Sequence, residues 1–171
     1  LRLLDVARTY EHHPREYGGI VLVQASILFF QGRFDEMLRR LDEALARPEQ
    51  RRHGASYSVL LVYRAMVEGA RGIEPDTQRL RLEEASEFFA RCHYTNNRLR
   101  AELALAHELR RSGRINEALE HAELAVALAR RIELHEATAA SLGICARLRL
   151  LAGDKDRAGE AAHEALACLP T

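Results

Sequence analysis

Apolar residues recur three and four positions apart over long stretches of the chain, as they do on one face of an α-helix. Leu105, Ala106 and Leu109 show this spacing. Prolines and glycines fall between the stretches, where they end one helix and open the next. The pattern predicts helices at residues 18–31, 34–47, 56–71, 76–92, 96–112, 115–131, 135–152 and 155–169.

The predicted helices form pairs that repeat every 40 or 41 residues. A glycine separates the two helices of each pair, and glycine suits such a corner because it adopts the left-handed conformation without a steric penalty. These corner glycines are Gly32, Gly72, Gly113 and Gly153. Two series of alanines keep nearly the same step, namely Ala25, Ala65, Ala106 and Ala146 in the first helices and Ala44, Ala85, Ala125 and Ala165 in the second. Small residues at fixed positions let neighbouring helices approach closely, so the pattern predicts helical hairpins stacked in series.

The repeat step predicts a single helical domain over residues 1–171. Its repeats would span residues 15–54, 55–94, 95–133 and 134–171. Residues 1–14 would be the end of a preceding repeat, since Leu4 lies 40 positions before Ala44. We therefore interpret the chain as a fragment of a larger protein.

These units resemble tetratricopeptide repeats, and the second is the most degenerate copy. The fourth repeat matches the family's small residues, turn glycine and closing proline through Ala146, Gly153, Ala158, Ala165, Leu166 and Pro170. The first matches through Ala25, Gly32, Phe34, Ala44, Leu45 and Pro48, and the third through Ala106, Gly113, Ala118 and Ala125. The usual repeat has about 34 residues. The longer form resembles the helical repeats of bacterial LuxR-like transcriptional regulators related to the maltose-regulon activator.

The resemblance implies an all-α fold: a right-handed superhelix, or α-solenoid, of about four antiparallel helix-turn-helix repeats. Each repeat would bury its apolar faces by stacking on its neighbours. The first helices of the repeats would line a concave groove, and the function would be capture of a peptide, a partner domain or a small effector.

Charge and cysteine content narrow the function classes. The chain has 25 basic and 25 acidic side chains, so its formal net charge is zero and it lacks a general attraction to nucleic acid. Lys155 is the only lysine, a bias that indicates a GC-rich bacterial source. Cys92, Cys145 and Cys168 form no CxxC pair, which favours a reducing cytoplasm. No apolar run approaches membrane-spanning length, so no membrane association is predicted.

The motifs of common catalytic and metal sites are missing or incomplete. The sequence contains no GxxxxGK[ST], GxGxxG or GxSxG motif. His135 and Glu136 begin an HExxH-like stretch, but Ala139 occupies the position of the second imidazole. His107 and His121 lie on different helices and could approach each other, although two imidazoles alone make a weak site. We expect no enzyme activity, no cofactor and no metal.

Placing the first helices in the concave register of the family predicts a binding groove. Its residues in the first two repeats would be Leu22, Ser26, Phe29, Phe30, Val62, Tyr63 and Met66. Those in the last two would be Arg100, His107, Arg110, Arg111 and Arg147. Such a groove is apolar at one end and basic at the other, and suits a ligand with a hydrophobic segment and an acidic group. Alternatively, the phenylalanines pack against the next repeat, or the apolar patch is a homodimer interface.

The sequence thus predicts a protein-interaction or effector-sensing domain of a multidomain bacterial regulator, with a protein, a peptide or a small acidic and apolar effector as its partner. Two alternatives stay open. The chain could be a scaffold or oligomerisation module without a small ligand, or a helical enzyme with an unrecognised site.

Overall fold

A computed structural model describes residues 14–48, 54–71 and 75–169, and these residues form α-helices joined by short turns, with no strand among them. The helices are α1 (Pro14–Phe30), α2 (Phe34–Leu45), α3 (Gly54–Ala70), α4 (Pro75–Arg91), α5 (Thr95–Arg111), α6 (Ile115–Arg131), α7 (His135–Leu151) and α8 (Lys155–Ala167). Each lies where the hydrophobic pattern predicts it, and the all-α prediction is confirmed. Residues 1–13, which the repeat step assigns largely to a preceding repeat, lie outside the described residues.

Glycine corners join the two helices of a repeat. Gly32, Gly113 and Gly153 have φ angles of 68°, 77° and 85°, in the left-handed region that favours glycine. At the second of these corners the amide of Arg114 donates to the carbonyl of Leu109 at 2.9 Å, which satisfies a carbonyl at the end of α5. The predicted corner role of these glycines is confirmed, whereas Gly72 lies outside the described residues.

Corners between successive repeats of the described chain have the same geometry without glycine. His93 and Glu133 have φ angles of 57° and 55°. The amide of the residue after each of them donates back to the preceding helix, from Tyr94 to Phe89 at 2.9 Å and from Leu134 to Ala129 at 3.1 Å. A side chain in this conformation costs about 1–2 kcal/mol, so the surrounding packing stabilises these two corners.

The chain divides into two compact units, and the boundary lies between Ile73 and Glu74. Unit 1 contains α1 to α3, whose core includes Val21, Leu28 and Leu41. Unit 2 contains α4 to α8, and α5, α6 and α7 share a core. The alanines of the two repeat series are buried in these units, apart from Ala165, which is partly buried.

The helices of unit 2 pack in sequence order, α4 on α5, α5 on α6, α6 on α7 and α7 on α8. Each three-residue corner reverses the chain, so the neighbours are antiparallel hairpins of the predicted kind. None of the described helices combines the length and the apolar character that crossing a membrane requires.

We expect Gly113→Ala to lower the free energy of unfolding by about 1 kcal/mol, because a Cβ is disfavoured at a positive φ. Gly143 is the matched control, since it lies inside α7 with no heavy atom within 4 Å of an added Cβ. Gly143→Ala should stabilise the protein by about 0.5–1 kcal/mol, because alanine favours the helix. Urea denaturation of both variants measures the difference. Equal effects of the same sign would contradict the corner role of Gly113.

Candidate functional site

The exposed surface of α5 and α7 in unit 2 carries basic side chains. Arg100 and His107 are exposed on α5, and Arg110 on the same helix is half-buried. Arg147 is exposed on α7 at the repeat position equivalent to His107, since each follows an alanine of the repeat series. These four residues, Arg100, His107, Arg110 and Arg147, are called the basic face below.

Most arginines elsewhere in the described chain are paired with carboxylates. Within unit 2, the guanidinium of Arg149 lies 2.8 Å from the carboxylate of Glu123, and that of Arg79 lies 2.6 Å from Glu83. Arg111 belongs to this paired group, because its Nη1 donates to both carboxylate oxygens of Glu108 at 3.1 Å. The guanidinium of Arg111 is therefore already neutralised, unlike that of its neighbour Arg110.

The three arginines of the basic face have no such partner. Arg100, Arg110 and Arg147 form no ion pair with any carboxylate in the part of the chain that the structure describes. The Nε atom of Arg110 is also buried without an acceptor among these residues, which leaves a donor unsatisfied. The positive charge of this face is thus uncompensated within the described chain.

The positive charge of the basic face changes the pKa of His107. Partial burial lowers the pKa of its imidazole below the usual value, and the positive charges of Arg110 and Arg147 lower it further. Both arginines therefore act on His107, although Arg147 comes from another helix. The structure brings these three predicted site residues together in unit 2.

The predicted apolar residues of unit 1 have different surroundings. Phe30 is 88% exposed and Met66 48% exposed, whereas Val62 is only 3% exposed and its side chain is not open to a ligand. Phe29 is 40% exposed and packs edge-to-face against Phe34, with ring centroids 5.8 Å apart. This ring contact lies within the first repeat, so the alternative that the phenylalanines pack against the next repeat stays a prediction.

Leu22, Ser26 and Tyr63 lie at the edge of the unit 1 core. Leu22 and Tyr63 pack partly buried against it. The hydroxyl of Ser26 donates to the carbonyl of Leu22 at 2.9 Å and lies 3.4 Å from the hydroxyl of Tyr63, so it joins α1 to α3. Val23, which the sequence pattern did not single out, is exposed on the same face of α1 as Phe30, two helical turns before it. That the apolar and basic residues line one groove stays a prediction.

The sequence pattern also did not predict a buried polar cluster around one carboxylate in unit 2, called the Glu102 cluster below. The side chain of Glu102 on α5 is 2% exposed. Its Oε1 accepts a hydrogen bond from the Ser86 hydroxyl at 2.5 Å, and its Oε2 accepts one from Nδ1 of His121 at 2.6 Å. Arg98 donates to Oε1 from one turn earlier at 3.3 Å. One carboxylate thus connects α4, α5 and α6.

Electrostatics keep this carboxylate ionised. Burial by itself raises the pKa of Glu102, but the hydrogen bonds from His121 and Ser86 and the charges of His121 and Arg98 outweigh burial. The net result is a pKa below the usual value. His121 is therefore a partner of Glu102, while His107 belongs to the basic face, and the two histidines have separate surroundings.

The Glu102 cluster contains a serine, a histidine and a carboxylate without the geometry of a nucleophile. Ser86 donates to the carboxylate rather than to the imidazole, so the hydroxyl, carboxylate and imidazole are not in the order of a catalytic triad. Burial, with Glu123 nearby, raises the pKa of the Cys145 thiol to about 11, which keeps it protonated. Among the described residues, no three His, Cys, Asp or Glu side chains come together as a possible metal site.

Solved structures show what this fold is similar to. The crystal structure of BtubC (BKLC) from P. vanneervenii aligns with a TM-score of 0.80 at 19% identity, covering 98% of this chain and 69% of that one. A Podosopora anserina putative kinesin light chain of nearly identical TPR-like repeats aligns with a TM-score of 0.64 at 18% identity, covering 98% of this chain and 93% of that one. A variant of the latter gives 0.66 at 18% identity, with 98% and 92% covered.

The fold is therefore that of TPR-like helical repeats, the α-solenoid class. No protein-family model matches the chain. No curated protein matches it in sequence. The resemblance to tetratricopeptide repeats is confirmed at the level of the fold.

We expect Glu102→Ala to lower the free energy of unfolding at pH 7 by about 2–4 kcal/mol, because it leaves buried polar partners unsatisfied. Glu102→Gln should lose less, and its deficit should shrink in acid. A carboxylate whose pKa is depressed by folding stabilises the protein above its unfolded pKa of about 4.3, and this contribution disappears as pH falls through the folded pKa.

Urea denaturation between pH 7 and pH 3.5 measures this effect. Glu120→Gln is the control, since Glu120 is exposed on α6, and we expect a change within about 0.5 kcal/mol. A constant difference between the wild type and Glu102→Gln across this pH range would show that the charge of Glu102 contributes nothing.

Proposed function

We propose that the chain is a partner-binding helical repeat domain whose basic face holds an acidic segment of a protein or peptide. The observation that carries this proposal is the absence of described carboxylate partners for Arg100, Arg110 and Arg147. The formal net charge is zero, so excess cations on one face have to be balanced by acidic groups elsewhere on the chain.

The chemistry of these arginines fits a carboxylate ligand. A guanidinium presents its donors in a planar fork that matches a carboxylate through two parallel hydrogen bonds. A hydrogen bond to a charged group contributes about 1.5–3 kcal/mol. Arg111 would first have to leave Glu108, whereas Arg110 and Arg147 have no internal ion pair to break. We therefore assign the ligand contacts to Arg110 and Arg147 ahead of Arg111.

The exposed apolar side chains of unit 1 form a candidate surface of their own. Phe30 and Met66 expose large apolar surfaces, and methionine adapts its shape to different ligands. This surface would suit an apolar group of a peptide or effector. Catalysis has no part in the proposal.

The 40-residue repeat supports a more specific setting: a domain of a multidomain bacterial transcriptional regulator, acting in the cytoplasm and sensing an effector. The test is the full-length coding sequence that surrounds these 171 residues. A nucleotide-binding loop before them and a helix-turn-helix after them would support the regulator, and a full-length chain without either would exclude it.

We expect Arg110→Ala and Arg147→Ala each to weaken binding of a hexa-aspartate peptide by about tenfold, because each removes a charge-assisted contact. Arg157→Ala is the matched control, since Arg157 is an exposed arginine of unit 2 that lies on α8 near Asp154. Calorimetric titration at about 50 mM salt measures the affinities, and circular dichroism verifies the fold. An Arg157→Ala loss as large as the other two would reduce the effect to net charge.

A second candidate function is self-association, which the 88% exposure of Phe30 favours. Static light scattering over a range of protein concentrations separates the candidates. We expect a concentration-independent monomer if the apolar residues serve a different partner. A dimer that Phe30→Asp dissociates would instead support the scaffold.

A further inference from the structure

We propose that His107 contacts the ligand together with Arg110 and Arg147, and that the basic face takes up a proton when it binds a carboxylate-rich peptide. This inference rests on the proposed function and adds how that site responds to pH. His107 would contact the ligand directly, and Arg110 and Arg147 would hold the ligand beside it.

The position of His107 carries the argument. It lies on the exposed side of α5, and Arg110 follows three residues later, about one helical turn along the same face. Arg147 occupies the equivalent repeat position on α7, and its charge acts on the imidazole. The helices are held together by a shared core that includes Ala106, Leu109, Leu142 and Cys145, so the three basic groups keep their spacing.

Several carboxylates on α5 and on the helices around it have partners other than His107. On α5 itself, Glu102 binds Ser86 and His121, and Glu108 binds Arg111. On α4, Glu83 pairs with Arg79 and Glu87 with Arg91. On α6 and α7, Glu123 pairs with Arg149. None of these carboxylates pairs with His107, and the charges that shift it are those of Arg110 and Arg147.

These surroundings determine the protonation state of the His107 imidazole in the ligand-free protein. Partial burial and the two guanidinium groups lower the pKa of His107, so the imidazole is neutral at pH 7. A ligand carboxylate seated among the three groups adds negative charge and favours the imidazolium form. Binding therefore raises the pKa of His107 and draws a proton from solution. Affinity must then increase as pH falls from 8 toward 6.

The test uses a hexa-aspartate peptide, whose carboxylates stay ionised above about pH 5. We expect its affinity for the full chain to be roughly tenfold higher at pH 6 than at pH 8. Calorimetric titration at pH 6.5 in two buffers with different ionisation enthalpies should show net uptake of a substantial fraction of one proton per peptide.

His107→Gln keeps a polar side chain of similar size but cannot titrate. We expect it to lose both the proton uptake and the gain in affinity between pH 8 and pH 6, whatever its affinity at pH 8. His163→Gln is the matched control, because His163 is exposed on α8 and its Nδ1 lies 2.9 Å from the carbonyl of Gly159. This control should keep the wild-type pH profile.

The outcomes distinguish the role of His107 from the proposed binding of an acidic ligand. If the wild type fails to bind the peptide at either pH, the acidic-ligand function is wrong and proton uptake falls with it. If the peptide binds with a flat pH profile, or if His107→Gln retains the pH dependence, the function stands and the role of His107 is wrong.

Discussion

Neighbouring helices in this chain meet at alanines that have almost no exposed surface, and the other features depend on these close contacts. A larger side chain at Ala106 or Ala125 would separate the helices and open gaps that the surrounding leucines could not fill. Close spacing also brings Ser86 and His121 within hydrogen-bond distance of Glu102. The same spacing places Arg147 of one helix where its charge acts on His107 of another.

The sequence predicted the repeats well because their signals are local. Gly113 and Gly153 mark their corners in the sequence, since few other residues adopt a positive φ angle without cost. Glu133 has the same conformation but gives no such signal, because the packing of the adjacent helices imposes it. Corners of this second kind have to be inferred from the helix boundaries on either side.

The candidate site was less predictable because ion pairing depends on three-dimensional neighbours. Arg110 and Arg111 are adjacent in sequence, and only the structure shows that Glu108 neutralises the second. Glu102 could not be distinguished from a solvated glutamate, since its partners come from two other helices. Val62 matched the apolar pattern of the predicted groove, yet it is buried. Periodicity assigns a residue to a face and leaves open what covers that face.

Repeat proteins are often treated as strings of interchangeable modules, and the Glu102 cluster limits that view for this chain. A shuffled array that exchanged α5 for another first helix would leave Ser86 and His121 facing an apolar residue: the aligned positions on α3 and α7 are Leu61 and Leu142. Both polar groups would then lose their acceptor. The third repeat is thus fixed in its place in the series by a polar match that the alanine and glycine signature does not encode.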